Sequence, residues 1–216
     1  MKEYHKIEGL FKRDEETKQL MPGVFRNEAV DLLQGCQWEF TEKIDGTNIR
    51  IHWDGHSVSI AGRTDKAIIP ARLLTYLQET FCGDVNEQVF EEHFADKEVT
   101  LYGEGYGAKI QNGGNYRPDN AFILFDVEIN GAFLARKDVC DIARYFGVDA
   151  VPIVLQGTIA QAIEFVKQRP KSTIGTADME GVVGRPLVEL CDRRGNRIIV
   201  KIKARDMQEI ERGKQQ

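Results

Sequence analysis

Hydrophobic and polar residues alternate with period two in several stretches of this chain, and the breaks between them are marked by glycine, proline and Asp-Gly or Asn-Gly pairs. Trp38 and Phe40 alternate with polar residues up to Lys43. Ile49, Ile51 and Trp53 face one way after Gly46, Asp54-Gly55 predicts a hairpin, and Val58 and Ile60 continue the returning strand. Met21-Pro22-Gly23 reads as a turn, and the rest of residues 1–36 carries no clear period. Helical spacing begins at Pro70, with Leu73, Leu74, Leu77 and Phe81 on one side. A second helix runs from a cap at Asp84 to about Phe94. Glu98 to Tyr102 predicts a strand leading into the glycine-rich residues 103–116. The apolar run Ala121–Ile129 predicts a strand buried on both faces, closed by a type I′ turn at Asn130-Gly131. A helix over 137–146, a strand over 151–155 and a helix capped by Thr158 follow, and two strands around 179–183 and 197–203 end the pattern. The sum predicts one α+β domain over residues 1–216, with mainly antiparallel sheets flanked by helices and a core over 37–205.

Composition narrows this little. With 216 residues, 42% hydrophobic and 29% charged, the chain has the makeup of an ordinary globular protein. No apolar run approaches a membrane span, and the four cysteines form no Cys-x-x-Cys pair, so a reduced, cytoplasmic setting is expected. Net charge is −5, which argues against indiscriminate binding of nucleic acid. The distribution is uneven: residues 185–216 hold nine Lys/Arg against five Asp/Glu, a net of +4, leaving −9 on the rest.

Chemistry concentrates in a few positions. Lys43 sits between Glu42 and Asp45 at the end of a strand, ahead of a glycine turn. In Ile198–Lys203 strand geometry sends Ile198, Val200 and Ile202 to one face and Lys201 and Lys203 to the other. Two ammonium groups side by side suit an anion such as phosphate, although lysines also protect edge strands. Glu180, in a run that reads as buried, needs a cation partner, lysine or metal. Glu104 lies between two glycines that let a backbone or a ligand come close. Phe125 on its own reads as a core residue.

The order of these blocks resembles the covalent nucleotidyltransferases, the superfamily of ATP-dependent ligases and mRNA capping enzymes. Glu42-Lys43-Ile44-Asp45-Gly46-Thr47 looks like its nucleophile motif. Leu101-Tyr102-Gly103-Glu104, Phe125-Asp126-Val127, Glu180-Gly181-Val182-Val183 and Val200-Lys201-Ile202-Lys203 follow in the family's order. Asn48, Arg63 and the stretch from Gly103 to Gln111 make the phage and RNA-editing type of RNA ligase the nearest branch. The resemblance implies that Lys43 attacks ATP to form lysyl-AMP, that AMP passes to an RNA 5′-phosphate, and that a 3′-hydroxyl then seals the strand. It implies α-phosphate contacts at Lys201 and Lys203, Mg2+ or Mn2+ at Glu180, ribose contacts at Glu104 and Arg63, and phosphate or strand-end positioning at Asn48. Adenine would stack on Phe125, its edge would be read at Glu42, and Asp126 would be structural or near the metal. The family's frequent C-terminal domain, often an OB-fold, is not expected in the thirteen residues after Lys203; an accessory protein is one substitute, and Arg193, Arg194, Arg197 and Arg205 are candidate phosphate contacts. A DNA ligase, a GTP-dependent capping-type enzyme and an inactive nucleotide-binding module are the alternatives.

Overall fold

Runs of β-branched and aromatic residues at period two, cut by glycine turns, give this chain its sheets, and helices pack against them. The computed structural model describes residues 1–213. In chain order the elements are β1 (Glu8–Gly9), β2 (Phe11–Arg13), β3 (Leu20–Phe25), α1 (Glu28–Leu33), β4 (Trp38–Glu42), β5 (Thr47–Trp53), β6 (Val58–Gly62), α2 (Ala71–Phe81) and α3 (Asp84–Phe94). They continue with β7 (Val99–Gly107), β8 (Asn120–Ile129), β9 (Ala132–Phe133), α4 (Arg136–Tyr145), β10 (Asp149–Ala150), β11 (Ile153–Gly157), α5 (Ile159–Lys167), β12 (Gly181–Pro186), β13 (Val200–Lys203) and α6 (Ala204–Gly213). The expected α+β class with mainly antiparallel sheets is what forms; only β1–β13 and β10–β8 pair in parallel.

The residues divide into two compact units, the first made of 1–5 and 45–151, the second of 6–44 and 152–216. The first unit is built on a sheet ordered β10-β8-β7-β5-β6, with β9 beside β8. Ile49, Ile51 and Trp53 of β5 pack with Leu73, Leu77 and Phe81 of α2 and with Phe122, Leu124 and Val127 of β8. Each such side chain, fully buried, stabilises the unit by roughly 1.5–3 kcal/mol. The alternation slips at one point of β8. Tyr102 opposes Asp126 and Gly103 opposes Leu124, so Phe125 is the extra residue of a β-bulge. Phe122 and Leu124 before the bulge and Val127 after it join the helix-side core, which turns both Phe125 and Asp126 to the other face.

The second unit is built on a sheet ordered β1-β13-β12-β4-β11, with a β2–β3 hairpin beside it. Trp38, Phe40, Val182, Val200 and Ile202 form its core with Ile159, Ala162 and Val166 of α5 and Met207 and Ile210 of α6. Thr158 caps α5 through a full capping box with Gln161.

Several boundaries differ from expectation. Met21-Pro22-Gly23 lies inside β3 and makes no turn, since a strand with a single partner needs no donor from Pro22 on its open side. Gly83, with φ +87°, occupies the cap position of α3, and Asp84 is its first helical residue. The glycines 103, 105 and 107 are strand residues: a Cβ on Gly103 would stand 2.2 Å from the Phe122 ring. α6 was not expected, because charged residues dominate 204–213 and only Met207 and Ile210 are buried.

Candidate active site

In the second unit, β4 delivers Glu42 and Lys43, β12 begins just after Glu180, and β13 carries Lys201 and Lys203. The backbone fixes these strands closely. Lys43 N–H donates to Gly181 O at 2.9 Å, and Glu180 O accepts Ala204 N–H at 2.9 Å. Gly181 holds φ +153°, and a Cβ there would meet Ile202 O at 2.1 Å, so only glycine lets β12 lie this close to β13.

The side chains meet over that frame. Lys43 Nζ donates to Glu180 Oε2 at 2.7 Å, and Lys203 Nζ lies 3.0 Å from Glu180 Oε1. One carboxylate thus spans two ammonium groups. The three side chains are 22%, 20% and 13% exposed, so the cluster is sheltered yet reachable. Lys201 sits opposite Val183 and Lys203 opposite Gly181, on the same side of β13, as the alternation predicted. Glu42 is buried in the register beside Val182. Its Oε2 accepts both the N–H (2.9 Å) and the hydroxyl (2.6 Å) of Thr173, while Oε1, also buried, has no partner among the described residues. Thr173 carried no signal in the sequence; it lies in a loop without periodicity.

A divalent ion has few protein ligands here. Among the described residues no three His, Cys, Asp or Glu side chains cluster to hold a metal. Glu180 is the carboxylate of this cluster that would hold a divalent ion, and a magnesium-like ion needs only one or two such ligands.

The first unit gathers four of the remaining expected residues on or beside one sheet. Asn48 on β5 lies directly opposite Glu104 on β7, on the face away from α2. Asn48 Oδ1 is buried without a partner among the described residues. Arg63 is exposed, one residue past the end of β6. Phe125 shares the face of Glu104 by virtue of its bulge and is half-buried, so the expectation of an ordinary core residue does not hold. Its ring packs edge-on to Tyr4 at 5.0 Å, and Tyr4 donates to Asp126 Oδ2 at 2.7 Å. Residues 1–5, unreadable in the sequence, therefore lie across this face of the sheet. Lys2 pairs with Glu128 at 2.7 Å, and Arg50 donates to the carbonyl of Met1. Burial, then Glu128, pushes the Tyr102 phenol well above its usual pKa.

Arg197 is not available to phosphate: it is buried, with its guanidinium 2.7 Å from Glu189. Arg193, Arg194 and Arg205 stay exposed, and Lys214 of the basic stretch lies outside the described residues. Among the described residues no helix is long and apolar enough to cross a membrane.

In the second unit a strand-borne lysine thus shares one carboxylate with a second strand lysine. A family model for RNA ligases matches residues 37–203, and the chain belongs to that family. No curated protein matches the chain. Among solved structures it is similar to a Naegleria gruberi RNA ligase mutant with ATP and Mn (TM-score 0.63, 18% identity, 88% of this chain and 55% of that one). A second is the Naegleria gruberi RNA ligase with PPi (TM-score 0.62, 20% identity, 99% and 62%). At these identities the likeness speaks for the fold, and the chain spans just over half the length of those ligases.

Proposed function

We propose that the chain is an ATP-dependent RNA ligase working through a lysyl-AMP intermediate, its two units acting as one nucleotidyltransferase domain. The observation that carries this reading is the carboxylate of Glu180 held between Lys43 and Lys203. Two cations on one anion leave a surplus positive charge, which a phosphate can answer.

In the first step the amine of Lys43, without its proton, attacks the α-phosphorus of ATP. A nitrogen–phosphorus bond forms and the bond to pyrophosphate breaks in line. Lys201 and Lys203 steady the charge that gathers on the phosphoryl oxygens. Glu180 must first release Lys43. Glu180 would hold a Mg2+ or Mn2+ ion, which would supply further neutralising charge. The ATP and Mn of the Naegleria structure favour this pairing of donor and metal. The buried, unpartnered Oε1 of Glu42 favours adenine: it accepts from an amino group, whereas the carbonyl at the same place on guanine would oppose it. Glu104 and Arg63 are assigned to the ribose, Phe125 to stacking on the base, and Asn48 to the phosphate or strand end. AMP then passes to an RNA 5′-phosphate, and a 3′-hydroxyl displaces it.

The test is incubation with α-labelled ATP or GTP, followed by a denaturing gel. ATP is expected to leave a covalent label and GTP none, with Lys43→Ala unlabelled but folded. Label from GTP alone, or label on Lys43→Ala, would overturn the assignment.

A further inference from the structure

Phe125 is assigned to the base, yet its own sheet does little to hold it. As the extra residue of the β8 bulge it has no partner across β7, where Tyr102 opposes Asp126 and Gly103 opposes Leu124. On the other side of β8, β10 meets Ile123 and Leu124, and β9 meets Glu128 and Ile129, so Phe125 is passed over there too. A residue left out of the ladder lacks the directly opposed neighbours that steady an ordinary strand side chain. It is also only half-buried.

Tyr4 takes the place of those neighbours. The two rings meet edge to face, with centroids 5.0 Å apart and planes at 73°. Tyr4 is itself fixed from several sides. Its hydroxyl donates to Asp126 Oδ2 at 2.7 Å, on the residue next to Phe125. Its ring lies 4.9 Å from that of Tyr102 and 6.1 Å from that of Phe133, and stacks on His5 at 4.6 Å. The residues before it are tied down as well. Arg50 donates to Met1 O at 2.9 Å, the Tyr102 hydroxyl to Lys2 O at 3.3 Å, and Lys2 Nζ to Glu128 Oε1 at 2.7 Å. Every one of these groups belongs to the first unit.

We infer that Tyr4 is a positioning residue for the donor's base: it holds the Phe125 ring in the direction that stacks on adenine. This rests on Phe125 being the stacking ring. An edge-to-face pair prefers particular directions, beyond the area it covers. A ring already held as it will be when bound loses less freedom on binding, so the gain falls on affinity for ATP. The attack by Lys43, set by other groups, changes little.

The experiment is single-turnover labelling with α-labelled ATP over a range of concentrations, with thermal melts run alongside. Tyr4→Leu keeps apolar bulk and loses the ring. It is expected to raise the ATP concentration at half-maximal rate about 3- to 10-fold, while the maximal rate stays within about twofold. Tyr4→Met, a second ringless variant, is expected to behave alike and serves should Tyr4→Leu lose its fold. Tyr4→Phe keeps the ring, and its half-saturation is expected to stay within about twofold of wild type. Phe125→Leu is expected to raise half-saturation by itself. Adding Tyr4→Leu to it should then raise it no further, because the ring that Tyr4 supports is gone. Wild-type half-saturation for the ringless Tyr4 variants would overturn the inference and leave Phe125 as the stacking ring. Full additivity in the double variant would also overturn it, since a merely structural Tyr4 acts independently of Phe125. Wild-type half-saturation for Phe125→Leu would remove the stacking role itself, and the positioning role with it.

Discussion

In the first unit, the carboxylates of Asp126 and Glu128 each end on a donor from the first five residues, and Arg50, fully buried, spends its guanidinium on two carbonyls and Asp65. In the second, Glu180 lies between Lys43 and Lys203 with part of its surface open. The first arrangement draws its donors from within the unit along a sheet face. The second leaves cationic charge over, in a place a ligand can reach. Similar side chains are thus enclosed in one unit and partly open in the other.

The contrast can be broken in three ways. The largest effect is expected at the open cluster: Lys203→Ala or Lys201→Ala should lower the rate of lysine adenylylation by about 100- to 1,000-fold. Near wild-type rates for both, measured by single-turnover labelling, would remove them from the site. Next, stability should follow the opposite order. Arg50→Ala strands two carbonyls and empties a buried space, and is expected to cost about 3 kcal/mol in urea unfolding. Glu180→Gln, touching partly exposed ion pairs, should cost less than about 1 kcal/mol. Equal losses would show that the two clusters do the same work. The smallest effect concerns acid. The carboxyls of Asp178, beside Lys171, and of Asp192, bonded by Asn196, are held below their usual range. A lowered folded-state value gives stability that is present above the unfolded pKa and lost as pH falls through the folded one. The melting temperature should therefore drop only below about pH 4, and Asp178→Asn should flatten that slope slightly.

Much of this was legible in the order of residues. The strands bearing Lys43, Lys201 and Lys203 alternate cleanly, because one face is buried against α5 and α6 and the other is not. Helix α5 was marked in the sequence by its Thr158 cap and apolar spacing. What stayed hidden depends on contacts far apart in the chain. Residues 1–5 gain their meaning from β7 and β8, about 100 residues away, which no local period encodes. Thr173 matters through Glu42, 131 positions earlier. Arg197 looked like a surface cation until Glu189 was found covering it. Phe125 read in isolation as a core residue on average burial, whereas it is the half-buried extra residue of a bulge.

That extra residue means the aromatic ring's direction is stored as a count. Removing the one residue between Leu124 and Asp126 would restore perfect pairing and take the ring away with it. A related chain one residue shorter at this point can thus keep the flanking letters of the segment and still lack the ring.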